Sequence, residues 1–300
     1  MKDIYHNSFF SMGTRFNVVF PFCNDDLGEH IFSLIKNELN RIESKYSYFD
    51  RESFLFRINK SAYLNEFWLD EETYDLLSNC RECNSLTNGK FDITLRPVIE
   101  SLNEEKSENE NIQLGSNLGF KNIIINDKNK SIRFENEFVK IDFGAIGKGY
   151  GLHKISNYLD DYEIKDVFIS FGGSSILTKG KHPNGDCWKV SIPDLNNQLK
   201  PSHVFNIKDG SLSISSNYYY GDNGKIRFKN SIIDPESYKP MEEKKLSAIY
   251  SSSPLEAELL STGIMLLEKE EIEKIIKLKP ELKILKINDK NGVVEKEFYE

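Results

Sequence analysis

No stretch of the chain approaches the roughly eighteen consecutive apolar residues that a membrane-spanning helix needs. There is no basic stripe either: 39 Lys and Arg stand against 47 Asp and Glu, and the two signs are mixed along most of the 300 residues. The resulting net charge of −8 argues against broad nucleic-acid binding, which depends on clustered positive charge. Cysteine is scarce, with Cys23, Cys80, Cys83 and Cys187 only. These form no disulfide framework, and the lone Cys80-x-x-Cys83 pair supplies half of a tetrahedral zinc site. Leu76 and Leu77, a turn earlier, make the two thiols ordinary neighbours on a helix. The five histidines (His6, His30, His153, His182, His203) read as surface residues rather than as a catalytic base. Met1 to Val19 carries neither a basic-then-apolar export pattern nor a lipid-attachment cysteine, so a cytoplasmic location is expected.

What is present alternates between strand and helix periodicities without any repeat. Phe9 to Phe20 alternates like a strand pair around Met12-Gly13-Thr14, and Ile31, Leu34, Ile35, Leu39 and Ile42 mark an amphipathic helix ending near Lys45. A second helix is expected from Asp70, a natural N-cap, to Ser85, with a turn at Asn88-Gly89. Residues 103–117 are polar and acidic and read as a mobile surface loop. Short strands are expected at Ile123–Ile125, Ile132–Phe134 and Phe138–Phe143, then at Val167–Phe171, Trp188–Ile192, Leu212–Ser215 and Leu246–Tyr250. Ser231 to Pro235 reads as a strand meeting a turn. Ser253-Pro254 opens a helix with a cap and a proline at its first position. A helix from Glu270 to Leu278 and a strand pair, Leu282–Ile287 and Val293–Phe298, close the chain. Strands clustered between isolated helices indicate an α+β fold with mainly antiparallel sheets, in one domain spanning 1–300.

Two features carry chemistry. The first is the corner Asp142-Phe-Gly-Ala-Ile-Gly-Lys-Gly-Tyr-Gly151, where four glycines and Lys148 separate an apolar run from a helical one. Glycines admit a ligand close to the backbone, and free N–H groups at a helix start attract phosphate. It is not a P-loop, because Asp142 and Gly149 stand where Gly and Ser or Thr are required, and its mid-chain place and spacing do not match the dinucleotide fingerprint. The second is Glu258 with Thr262, one turn apart on the helix after Ser253. A carboxylate and a hydroxyl on one face are hard oxygen donors suited to Mg²⁺, which completes its shell with water and substrate phosphate. Together they point to a metal and diphosphate site.

At these residues the chain resembles the ApbE family of FAD:protein FMN transferases. The likeness runs in order through Met12-Gly13-Thr14, Ser53 to Asn59, Gly89 to Thr94 with Pro97, Asp142 to Gly149, and Gly172-Gly173. It continues through Trp188 with Val190, Ile232 to Pro235, and Ala257 to Thr262. The resemblance implies two intertwined subdomains around a flavin-nucleotide cleft. It implies FAD contacts from Met12, Phe49, Lys90, Phe91, Asp92, Asp142, Lys148 and Ile232, and a Mg²⁺ site at the Ala145 carbonyl, Glu258, Ser261 and Thr262. The implied reaction transfers FMN from FAD to a Thr or Ser hydroxyl of an acceptor flavoprotein and releases AMP. Several positions depart from the family pattern. Ser231 replaces the usual histidine, and so the most plausible base, while Glu258 replaces the usual aspartate. Arg96 stands where glycine is common, Ile214-Ser215-Ser216 replaces Thr-Ser-Gly, and Ser237-Tyr238 replaces Thr-Gly. An FAD pyrophosphatase and a flavin-binding paralogue without activity are the alternatives these changes leave open.

Overall fold

The computed structural model describes residues 4–195, 200–220, 226–229, 231–290 and 292–300. Its centre is an eight-stranded sheet ordered Ile4–Ser11, Thr14–Pro21, Val167–Phe171, Ser175–Lys179, Gly210–Ser216, Lys244–Ser251, Lys283–Lys290 and Val293–Tyr299. Every neighbouring pair is antiparallel. The α+β expectation holds.

Because side chains alternate across a strand, each face of this sheet has its own character. One face gathers Ile176, Leu212, Leu246, Ala248, Leu285 and Ile287 under Val190, Ile192, Phe205 and Ile207 of the hairpin Trp188–Pro193 and Pro201–Ile207. The other supports the helices Asp25–Tyr46, Gly147–Asp161 and Pro254–Ile264. A three-stranded sheet (Phe67–Trp68, Ser131–Phe134, Ile123–Asn126) and the helices Phe54–Ser61 and Glu71–Leu86 pack beyond them in a second core. Glu72 ties this region to the glycine helix, accepting hydrogen bonds from Arg41 and from the Tyr150 hydroxyl, each at 2.6 Å.

Most expected elements form where the periodicity placed them. Asp70 caps its helix by accepting from Thr73 N at 2.8 Å, and Ser253 caps the helix that begins at Pro254. Cys80 and Cys83 are buried, unbonded helix neighbours. Ser231 to Pro235 forms no strand, only an isolated bridge between Ile233 and Pro240 around its turn. Two further expectations fail. Phe138–Phe143 joins no sheet, since its backbone is satisfied elsewhere. The Asn59 amide donates to the Ile141 carbonyl and accepts from the Ile141 N–H, both at 2.8 Å, and Asp142 N donates to the Ile93 carbonyl. Residues 103–117 are not a loop throughout. Glu108–Gly115 is a helix with a Ser107–Glu110 capping box, and Leu114 with Leu118 packs it onto Val98, Ile233 and Tyr238.

The glycines after the corner serve helix packing. A Cβ on Gly149 would lie 2.2 Å from the Glu258 Cβ and 2.9 Å from the Pro254 carbonyl oxygen, and one on Gly151 would lie 2.6 Å from Leu39 Cδ2. The Gly147–Asp161 and Pro254–Ile264 helices therefore cross in contact at Gly149. Gly149→Ala should wedge them apart at a cost of about 1–3 kcal/mol, as overpacking does elsewhere. Urea denaturation of the two proteins measures this; an alanine variant as stable as the parent would show that the crossing is loose.

Candidate functional site

Along Gly210–Ser216, Leu212 points into the hairpin core while Ser211, Ser213 and Ser215 share the opposite face. Ser213 is the register partner of Ser175 on the adjacent strand, so their hydroxyls emerge side by side. Both donate to Glu258 Oε2 at 2.7 Å. The other carboxylate oxygen, Oε1, lies 2.9 Å from Lys148 Nζ. Glu258 is only 4% exposed, and a charge so buried persists only with partners of this kind. The glycine corner and the Pro254–Ile264 helix, more than a hundred residues apart, thus meet in one ion pair.

The remaining hydroxyls extend the cluster. Ser215 Oγ is 2.8 Å from Ser261 Oγ and 3.2 Å from Thr262 Oγ1. Ser261 donates to the Glu258 carbonyl at 2.9 Å and sits behind the others, 1% exposed. No group of three or more His, Cys, Asp and Glu able to hold a metal exists among the described residues. The donors present are instead one buried carboxylate, hydroxyls and the nearby Ala145 backbone. That set fits a hard divalent cation such as Mg²⁺, which needs few protein ligands. The Lys148 ammonium already places positive charge beside Glu258, where such an ion would.

Around this cluster lies a cavity of about 400 Å³ bordered by Lys90, Asp92, Asp142, Ala145, Lys148, Ser215, Lys229, Ser231, Ile232, Glu258 and Thr262. A second cavity of about 430 Å³ is walled by Met12, Tyr46, Tyr48, Phe49 and Phe143. Arg96, Asp142, Gly144 and Lys148 border both, making them lobes of one cleft. One lobe is aromatic; the other is polar. Arg96 stands over the Phe49 ring at 4.6 Å and the Tyr48 ring at 5.2 Å, and lies 3.7 Å from Asp142.

All the residues proposed for nucleotide contact border the cleft, with differing freedom. Phe49 is 71% exposed and available for stacking, whereas Phe91 is 2% exposed and chiefly a core residue. Lys90 is paired with Asp234 and Glu236 at 3.2 and 3.0 Å. Asp142 accepts from Gly144 N at 2.9 Å, and burial pushes its carboxyl above the ordinary range against the pull of that N–H and of Arg96. Ser231 is exposed on the rim. The sequence reading overlooked Ser175, Ser213 and Lys229; the Ser211-x-Ser213-x-Ser215 alternation was the available signal for Ser213 alone, since Ser175 joins it only through strand register.

The profile of the ApbE family matches residues 12–285. This chain belongs to the ApbE family. It is 26% identical over 297 residues to the FAD:protein FMN transferase of Buchnera aphidicola subsp. Schizaphis graminum, covering 94% of this chain and 85% of that relative. It is 23% identical to the enzyme of the same name from Escherichia coli K12, covering 89% of this chain and 79% of the relative. The fold matches the flavin transferase ApbE from Vibrio cholerae with a TM-score of 0.85 and 19% identity, covering 99% of this chain and 97% of that one. The ApbE protein from Thermotoga maritima matches with a TM-score of 0.82 and 23% identity, over 98% and 96% of the two chains. Among the described residues of this ApbE member, no helix is long and apolar enough to cross a membrane.

Two outcomes test the site's electrostatics. Lys148→Met leaves the Glu258 charge buried without its cation and should cost about 2–3 kcal/mol of stability. Millimolar Mg²⁺ should return much of that loss in thermal melts, and a melt indifferent to the ion would argue against a cation site at Glu258. The second concerns Asp92, which accepts from Thr94 N and Oγ1 at 2.8 and 2.7 Å and whose carboxyl burial raises to about 6 from 3.8. Folding therefore takes up a proton between those values, so the contribution is full at low pH and lost as pH rises through 6. Relative to the parent, Asp92→Asn should gain on the order of 2 kcal/mol between pH 4 and pH 7. A difference that stays constant across that range would refute the raised carboxyl.

Proposed function

We propose that this chain transfers FMN from FAD to a Thr or Ser hydroxyl of an acceptor flavoprotein, releasing AMP. The observation that carries the reading is the meeting of Lys148 and Glu258 at the junction between an aromatic lobe and a hydroxyl-rich polar lobe. An aromatic ring system joined to a diphosphate needs both environments, side by side. Relatives along nearly the whole chain that bear the name FAD:protein FMN transferase support the same activity.

In this reading Met12, Phe49 and the neighbouring aromatics hold one ring system, and Lys148 places positive charge at the diphosphate. The acceptor hydroxyl oxygen attacks the FMN-side phosphorus, the bond from that phosphorus to the bridging oxygen breaks, and AMP leaves with the bridging oxygen. The hydroxyl proton passes to solvent or to the departing phosphate. Glu258, Thr262, Ser261 and the Ala145 carbonyl are the residues proposed to hold Mg²⁺. The bound ion would withdraw charge from the diphosphate oxygens. Orientation and charge stabilisation supply most of the rate in such transfers, so the loss of a histidine at Ser231 need not abolish the reaction.

Incubation with FAD and Mg²⁺ plus a flavoprotein acceptor should yield AMP and an acceptor that is fluorescent in a denaturing gel. AMP with free FMN and an unlabelled acceptor would instead establish a pyrophosphatase, and no AMP a binding protein only. Ser231→His, adding a group that accepts a proton near neutral pH, should raise kcat at least about tenfold with little change in KM for FAD. An unaltered kcat would mean that proton removal does not limit turnover.

A further inference from the structure

Four cationic side chains border the polar lobe, and three have carboxylate partners. Lys90 pairs with Asp234 and Glu236, Arg96 with Glu100, and Lys148 with Glu258. The fourth is Lys229. No carboxylate pairs with it among the described residues.

Its placement is built rather than incidental. Lys229 follows the strand Ile226–Phe228, and its backbone N–H donates to the Asn217 carbonyl at 2.7 Å. Asn217 is itself fully buried. Its side-chain Nδ2 donates to the Met241 and Glu243 carbonyls at 3.2 and 2.7 Å, and its side-chain Oδ1 accepts from Lys245 N at 2.8 Å. The Lys229 stem is half-buried, and Nζ reaches the end of the serine strand, donating to the Ser216 carbonyl at 3.0 Å and lying 3.5 Å from Ser216 Oγ. An ammonium has three donors, so these contacts leave at least one for a ligand. Both neighbours are uncharged, and the charge that acts on it is the like charge of Lys148. Burial and that repulsion both push the Lys229 amine below its ordinary range. Nothing in the described surroundings balances this cation, and an anion in the lobe would.

We propose that Lys229 is a second phosphate-binding residue, which together with Lys148 holds the diphosphate of the nucleotide substrate in the polar lobe. The proposal rests on the reading of FAD as substrate. The two lysines divide the labour. Lys148 is shared between substrate and Glu258, whereas Lys229 has no competing carboxylate and answers to the substrate alone. Its anchoring on Asn217 and Ser216 also places it beside Ser215 of the hydroxyl cluster. Phosphate recognition therefore draws on a segment next to Ser231, outside the glycine corner.

The test is equilibrium binding of FAD, FMN and riboflavin to the full chain, followed by flavin fluorescence, for the parent, Lys229→Gln and Lys229→Arg. Losing one charge-assisted hydrogen bond should weaken FAD binding by about tenfold or more in Lys229→Gln. Riboflavin, which has no phosphate, should bind Lys229→Gln and the parent equally. Lys229→Arg, which keeps the charge, should stay within about threefold of the parent for FAD. If the parent binds FAD and Lys229→Gln binds it as tightly, the role of Lys229 is overturned while the transferase reading stands. Equal weakening toward FAD and riboflavin would also overturn it, by showing a structural defect. A parent that binds no FAD would bring down both.

Discussion

A carboxylate buried to the extent of Glu258 costs several kcal/mol unless its charge is met, and much of this molecule is arranged to meet it. Lys148 reaches it from the first turn of one helix, and Ser175 and Ser213 from two adjacent strands. Glu258 can approach Lys148 only because Gly149 lets two helices touch, and it can face the serines only because both helices lie on one side of the central sheet. Sheet register, helix crossing and site geometry are thereby coupled. A shift of one residue in the Gly210–Ser216 strand would turn its hydroxyls into the apolar hairpin core.

The same contact divides the cleft. On one side, Tyr48 and Phe49 form an aromatic wall stiffened by the Arg96 guanidinium, which also approaches Asp142. On the other, hydroxyls and ammonium groups form a lining suited to phosphate and a hard cation. Arg96 and Glu258 both make ordered contacts: the first in the aromatic stack, the second with the strand serines. Ser231 differs, being exposed on the rim of the polar lobe.

Sequence reading went far where signals are local. Helix caps at Asp70 and Ser253 and the terminal strand pair were all legible, because capping and periodicity act within a few residues. It failed where a non-local partner decided the outcome. Phe138–Phe143 looks like a strand, but one buried asparagine, Asn59, supplies the hydrogen bonds that a neighbouring strand would. The acidic composition of residues 103–117 hid a helix whose apolar side docks against Ile233 and Tyr238. Gly149 was read as room for a ligand, and it is room for another helix.

The sequence by itself determined the class of fold, most element boundaries, and the residue types able to bind phosphate and a hard cation. Those properties follow from composition, short-range periodicity and the donor chemistry of single side chains. Only the tertiary structure decided that Lys148 and Glu258 are a bonded pair, that Ser175 and Ser213 complete the carboxylate's shell, and that Lys229 shares their cavity. These depend on antiparallel register and helix crossing, which bring together residues separated by scores of positions. No window of sequence contains that information, because burial of one charge is satisfied jointly by partners from across the chain.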